Sequence, residues 1–265
     1  MIICFLILLI SARIAGSYYE LDTNIDNEPI GKEIVGKYKE YFKDIKLGFS
    51  FVFSSRRLKS LMLFAGIMYG IIAVLNTYEM GLLQEIDLSS TMVGLIYATM
   101  QVVAGIASKK QDEIHNKFRN KTLTVTGISY TIACLLAGII CMTNLDYRIV
   151  ILVVIFTYTI RYIDTGAYFV LIKKYITNFT NSDMIDKVYS AYGIVTGLGN
   201  TLICIVGTII VGHHSLRDSM AIFGILFLIV ILLILQYMKT RVGLKPEEYR
   251  KKDIDFKEFV NSKLK

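Results

Sequence analysis

The stretch Thr157-Tyr158-Thr159-Ile160-Arg161-Tyr162-Ile163-Asp164 lies in the middle of an apolar run from Ile149 to Ile172. A run of that length crosses a bilayer as a helix, and Arg161 falls near its midpoint. Holding an ionised side chain there costs about 2.5–3.5 kcal/mol on insertion scales, so Arg161 needs a partner or a polar cavity. Asp164 follows three residues later on the same helical face and is the expected partner. Steps of three and four extend that face through Thr157, Tyr158, Arg161, Asp164, Thr165 and Tyr168. Two readings follow: an internal salt bridge that fixes helix packing, or a polar stripe that lines a cavity.

The rest of the chain agrees with a membrane setting. Hydrophobic residues make up 54% of it, and they come in runs near twenty residues long rather than in amphipathic windows. The sequence therefore describes an all-α membrane protein, with spans expected over 60–78, 91–107, 122–143, 149–172, 188–211 and 219–238. Residues 1–16 are apolar but short for a span, without the basic start or clean cleavage site of a signal peptide. They read as the second half of a transmembrane helix, with a signal peptide or weak anchor as the alternative.

The net charge of +7 does not point to nucleic acid, because 25 of the 29 Lys and Arg residues lie in segments 17–59, 109–121, 173–187 and 239–265. The intervening loops hold only Arg148 and Arg217. By the positive-inside rule the basic segments, including the tail 239–265, face the cytoplasm. Within 17–59, apolar residues from Ile34 to Phe53 recur at helical spacing among lysines. That segment is expected to be an amphipathic helix, either along the membrane surface or packed on protein. The lipid bilayer is thus the first partner, and the plasma membrane is the expected location.

Six spans, a long basic linker ahead of them and a basic tail resemble the C-terminal half of a major facilitator superfamily transporter, bacterial type. Tyr41-Phe42-Lys43-Asp44-Ile45-Lys46-Leu47-Gly48-Phe49 and Val242-Gly243-Leu244-Lys245-Pro246-Glu247-Glu248-Tyr249 carry the resemblance. So does the loop Gly105-Ile106-Ala107-Ser108-Lys109-Lys110, which matches the family's loop motif at Gly105 and Lys110 but has Lys109 at its acidic position. The resemblance implies a half-transporter bundle of six full helices plus a partial N-terminal one, truncated or split. It also implies secondary transport of a small solute by alternating access between two halves. The missing wall would come from an N-terminal half-transporter or a second copy. The alternative is a non-transporting membrane interaction module that pairs with another chain or with itself.

Under that resemblance Arg161 and Asp164 are the leading solute-binding candidates, with Tyr158, Tyr168, Gln101 and Asn200 beside them. Gln101 and Asn200 serve equally well as helix-to-helix hydrogen bonds, as does Tyr192. Asn76, Thr77, Tyr78 and Glu79 read as a solvated helix end, with contact to a solute as the alternative. Gly66 with Gly70, and Gly193 with Gly197 and Thr201, have the spacing of close helix packing. Cys4, Cys134, Cys141 and Cys204 lie within apolar runs and read as packing residues. The three histidines are all in loops, which leaves no histidine at depth for a catalytic dyad or a metal cluster. No phosphate-binding loop occurs in the connectors. The expectation is a protein that is not an enzyme and that has no cofactor and no metal.

Overall fold

The computed structural model describes residues 30–118, 121–143, 145–241 and 251–263. Their regular structure is all helical, with no strand among the described residues. The apolar segment 1–16 expected as a partial span lies outside the described residues. Compact packing divides the chain at Asp44. The unit up to Asp44 contributes the start of α1 (Ile30–Ser54), and the unit Ile45–Lys265 contains everything that follows.

Among the described residues six helices are long and apolar enough to cross a membrane. They are α2 (Arg56–Glu85), α3 (Ser90–Lys109), α5 (Thr122–Cys141), α6 (Tyr147–Phe179), α7 (Ile185–His213) and α8 (Leu216–Arg241). Short α4 (Gln111–Phe118) joins α3 to α5, a 3-10 turn (Ser182–Met184) precedes α7, and α9 (Phe256–Lys263) follows α8. Three of these helices begin at a side-chain capping oxygen: Ser55 accepts from Leu58 N, Ser89 from Met92 N and Asp146 from Arg148 N. Ser215 and Asp218 bond reciprocally ahead of α8. Each such cap satisfies amide groups that the helix itself leaves unpaired. At the other end of α2, Leu88 N bonds to Leu83 O and Asp87 N to Gln84 O. Asp87 takes φ 61° there, the left-handed position of a Schellman stop.

The first and fourth spans run longer than hydropathy alone suggests. α2 continues seven residues beyond 78, and α6 continues to Phe179, since a helix stops at its cap rather than at the edge of its apolar window. The last turns of α1 pack on protein: Phe51 and Val52 are buried, and a Cβ on Gly48 would fall 2.2 Å from Lys187 O.

α2 and α6 occupy matching positions. α2 packs on α7 and α8, α6 packs on α3 and α5, and α5 packs on α8. Exchanging the first three spans with the last three reproduces the same set of contacts. Three spans reverse the direction of the chain, so the two triplets have opposite orientation, the pattern of an inverted repeat. Small residues carry the major contacts. A Cβ on Gly199 of α7 would lie 2.1 Å from Gly66 O of α2, one on Gly166 of α6 would lie 2.2 Å from Ala104 O of α3, and one on Gly138 of α5 would lie 2.5 Å from Ala221 N of α8. Backbones this close gain dispersion contacts that a lipid chain cannot match.

The glycine step expected on α7 is therefore displaced. Gly66 and Gly70 do pack, but against Gly199 and Ile203; Gly193 and Gly197 have nothing within contact of a Cβ. The two sets of glycines lie on different faces of α7, and spacing alone does not say which face turns inward.

Candidate functional site

Arg161 sits on α6 with 1% exposure, and its partner is Glu79 of α2. Arg161 Nη1 lies 2.5 Å from Glu79 Oε1. This corrects the expected pairing with Asp164. It also corrects the reading of Glu79 as a solvated helix end, because α2 runs on to Glu85 and Glu79 is fully buried. Tyr78 is buried with it and donates to Gly207 O of α7 at 2.5 Å. Thr77 is exposed and Asn76 half-buried.

Tyrosines surround the pair. The Arg161 guanidinium lies 4.9 Å from the ring centroid of Tyr130 on α5 and 5.5 Å from that of Tyr158 on α6. Arg161 Nη2 donates to Tyr130 OH at 3.2 Å, and Tyr158 OH donates to the Glu79 carbonyl at 3.3 Å. Tyr162, one residue beyond Arg161, lies beside the Glu79 carboxylate and packs edge-on against Tyr97 of α3. Three helices thus contribute to one cluster: α2 the carboxylate, α5 a ring, and α6 the guanidinium with two further rings. Each ring face adds cation attraction of about 0.5–2 kcal/mol, which offsets part of the cost of removing the guanidinium from water.

Hydrogen bonding in the cluster is incomplete. Both Glu79 oxygens, Arg161 Nε and Nη1, and Tyr162 OH have no aligned hydrogen-bond partner. The short Nη1–Oε1 approach is off the N–H direction, so the contact is an ion pair in distance but not a fork-to-fork pair. A buried polar group left in that state costs about 1–3 kcal/mol. The cluster therefore has spare donor and acceptor capacity at a depth where polar groups are expensive.

The remaining candidates divide. Asp164 is buried and accepts from Ser129 Oγ of α5 at 2.5 Å. Tyr168 is fully buried two turns along from Arg161, and its hydroxyl donates to Ala65 O of α2 at 3.0 Å. It therefore fastens α6 to α2. Gln101 is exposed on α3, and Asn200 is half-buried on α7, accepting from Cys204 Sγ at 3.3 Å. The structure joins Arg161 and Tyr158 in one cluster, holds Asp164 and Tyr168 along the same helix, and leaves Gln101 and Asn200 outside it. Glu79, Tyr130 and Ser129 were missed as partners. For Glu79 the sequence held a signal: Met80-Gly81-Leu82-Leu83 continues the apolar run past it, which places the carboxylate inside a span.

A second feature is the open surface of α3 and α7. Only 17% of the apolar window of each is buried, against 72% for α2. Exposed positions include Thr91, Gly94, Ala98, Gln101 and Gly105 on α3 and Gly193, Gly197, Thr201, Thr208 and Gly212 on α7. A Cβ on any of these glycines would meet nothing within 4 Å. Beside these positions α3 exposes Met92, Leu95, Val102 and Ile106, and α7 exposes Leu198, Leu202, Ile205 and Ile209. The exposed face of α8 has large apolar side chains, Ile225, Leu226, Ile229, Leu232 and Leu233, without an open glycine stripe.

Compared with known proteins, the chain matches no family model, no curated protein and no solved structure. Among the described residues no group of three His, Cys, Asp or Glu side chains is placed to hold a metal ion.

Proposed function

We propose that this chain is one wall of a solute pathway: the C-terminal half of a secondary transporter of the major facilitator type, working against a second six-helix half. The observation that carries the reading is the pair of open faces on α3 and α7. Each carries a stripe of small and polar residues, glycine and threonine on both helices with Ala98 and Gln101 on α3, running beside large apolar side chains such as Leu95 and Leu202; the small-residue stripe favours close contact with another helix over contact with lipid tails. The exchange pattern between the two helix triplets supports the same reading, as does the placement of a charged pair on α2 and α6 at membrane depth. In this reading the second half docks along α3 and α7. The solute is small and polar, with an anionic or hydrogen-bond-accepting group that meets Arg161 when the tyrosine cage opens.

The test is photocrosslinking in native membranes, with a photoreactive residue at Gly94 or Gly197 and a control at Leu233. Protein adducts from the two glycine positions, together with lipid adducts only from Leu233, support a docked half. Lipid adducts alone from all three positions would refute it.

The near-complete burial of Arg161 favours a second reading, in which the chain is a membrane interaction module and the ion pair serves only packing. An adduct between two copies of this chain, without solute-dependent change in the stability of the purified protein, is the outcome that reading expects.

A further inference from the structure

The tail-side ends of α2 and α6 are joined by two consecutive residues of opposite charge. Asp253 lies at the start of α2: its carboxylate accepts from Ser55 Oγ, and Arg57 N donates to Oδ2 at 3.4 Å. Arg57 Nε is 3.4 Å from Oδ1 of the same group. Ser55 is itself the cap of α2, accepting from Leu58 N at 3.0 Å. Lys252 lies at the end of α6, where its Nζ donates to Thr180 O at 2.7 Å and the next amide, Asp253 N, donates to Phe179 O at 3.3 Å. The carboxylate thus sits at a helix start, which is positive, and the ammonium at a helix end, which is negative. Both placements satisfy backbone or capping groups that the helices leave over.

Neighbouring contacts hold the dipeptide in place. Asn181 Nδ2 donates to Ile254 O at 3.1 Å, and the Arg57 guanidinium lies 5.6 Å over the Phe179 ring. Beyond the dipeptide, α9 seats Phe259, 2% exposed, edge-on against Phe51 of α1 at 5.3 Å. An apolar anchor and a charged clip therefore act on the same corner of the bundle.

We infer that Lys252 and Asp253 form a double helix cap that holds α2 and α6 together at one end, and that this end opens only when the tail lets go. The two helices it joins are those that carry Glu79 and Arg161. Glu79 lies 24 residues beyond Ser55, about 36 Å at the helical rise, so the pair is held at two well-separated levels. Tyr168 and Ala65 tie the helices between those levels. With both levels closed, α6 has no freedom to tilt against α2. With the clip released, the ion pair becomes the pivot. This inference does not rest on the transport reading, since it concerns only how the two helices are held.

Hydrogen exchange on the full chain in lipid nanodiscs tests it. In Asp253→Ala the amides of Arg57 and Leu58, the last turn of α6 and residues 251–263 are expected to exchange about tenfold faster, while α5 is unchanged. Lys252→Ala is the milder variant, and its effect is expected at the end of α6 and in the tail, with Leu58 protected. Faster exchange confined to 251–263 in both variants would show that the tail is a passenger, and no change at any of these amides would equally overturn the clip. Faster exchange in α5 for Asp253→Ala marks general loosening; Lys252→Ala then decides the question by the same criterion.

Discussion

Replacing Glu79 by Gln removes the carboxylate paired with Arg161 and leaves a guanidinium with 1% exposure inside the bundle. The Tyr130 and Tyr158 rings already face that guanidinium and have no further attraction to offer. Breaking one side of a buried pair costs about 3–5 kcal/mol, because the surviving charge stays desolvated. Asp164→Asn is the matched control. Its main contact is the Ser129 hydroxyl, which an amide oxygen still accepts, so a loss near 1 kcal/mol is expected, about the net value of one hydrogen bond. Arg161→Met alone strands Glu79, while Arg161→Met with Glu79→Gln removes both charges and leaves a neutral amide among tyrosines. The double variant is thus expected to be more stable than the sum of the single losses predicts, by about 2 kcal/mol or more. Reversible unfolding in mixed detergent micelles measures each leg of the cycle. The reasoning fails if Asp164→Asn costs as much as Glu79→Gln, or if Arg161→Met couples to Asp164→Asn while adding independently to Glu79→Gln.

Two further outcomes follow from local geometry. Gly199→Ala places a Cβ 2.1 Å from the Gly66 carbonyl and forces α7 away from α2, at an expected cost of about 1–3 kcal/mol. Gly197→Ala, in open space, is expected to stabilise α7 by up to about 1 kcal/mol through helix propensity; thermal unfolding of the two variants side by side checks the contrast. In the α4 connector, burial and then the charge of Lys174 hold the His115 imidazole below its ordinary value of 6.5. The unfolded chain takes up that proton first, so the contribution of neutral His115 is complete above pH 6.5 and declines as pH falls from 6.5 toward the depressed folded value. His115→Gln is expected to flatten the fall in melting temperature over that window, and an unchanged slope would show that His115 does not contribute.

Helix existence was legible because it is a local property. Length, hydropathy and caps such as Ser55, Ser89 and Asp146 act within a few residues, and all six spans occur where the apolar runs lie. Arg161 could likewise be recognised from sequence as a charge needing a partner, since its depth follows from its place in the run. Its nearest carboxylate in sequence was not its partner. Asp164 lies on the same helix, but Ser129 of α5 takes it, and Glu79, 82 residues upstream on α2, faces the guanidinium.

Among the described residues, length and hydropathy along the chain suffice to place the six spans, to locate their ends to within a turn or two, and to show that α6 carries a charge at depth. The rotation of each helix about its own axis comes instead from packing. In a bilayer every face of an apolar helix is tolerated, so hydropathy does not fix that angle, and neighbouring helices do. That rotation turns Gly199 inward and Gly197 outward on α7, brings Glu79 to Arg161, and leaves the small-residue faces of α3 and α7 uncovered.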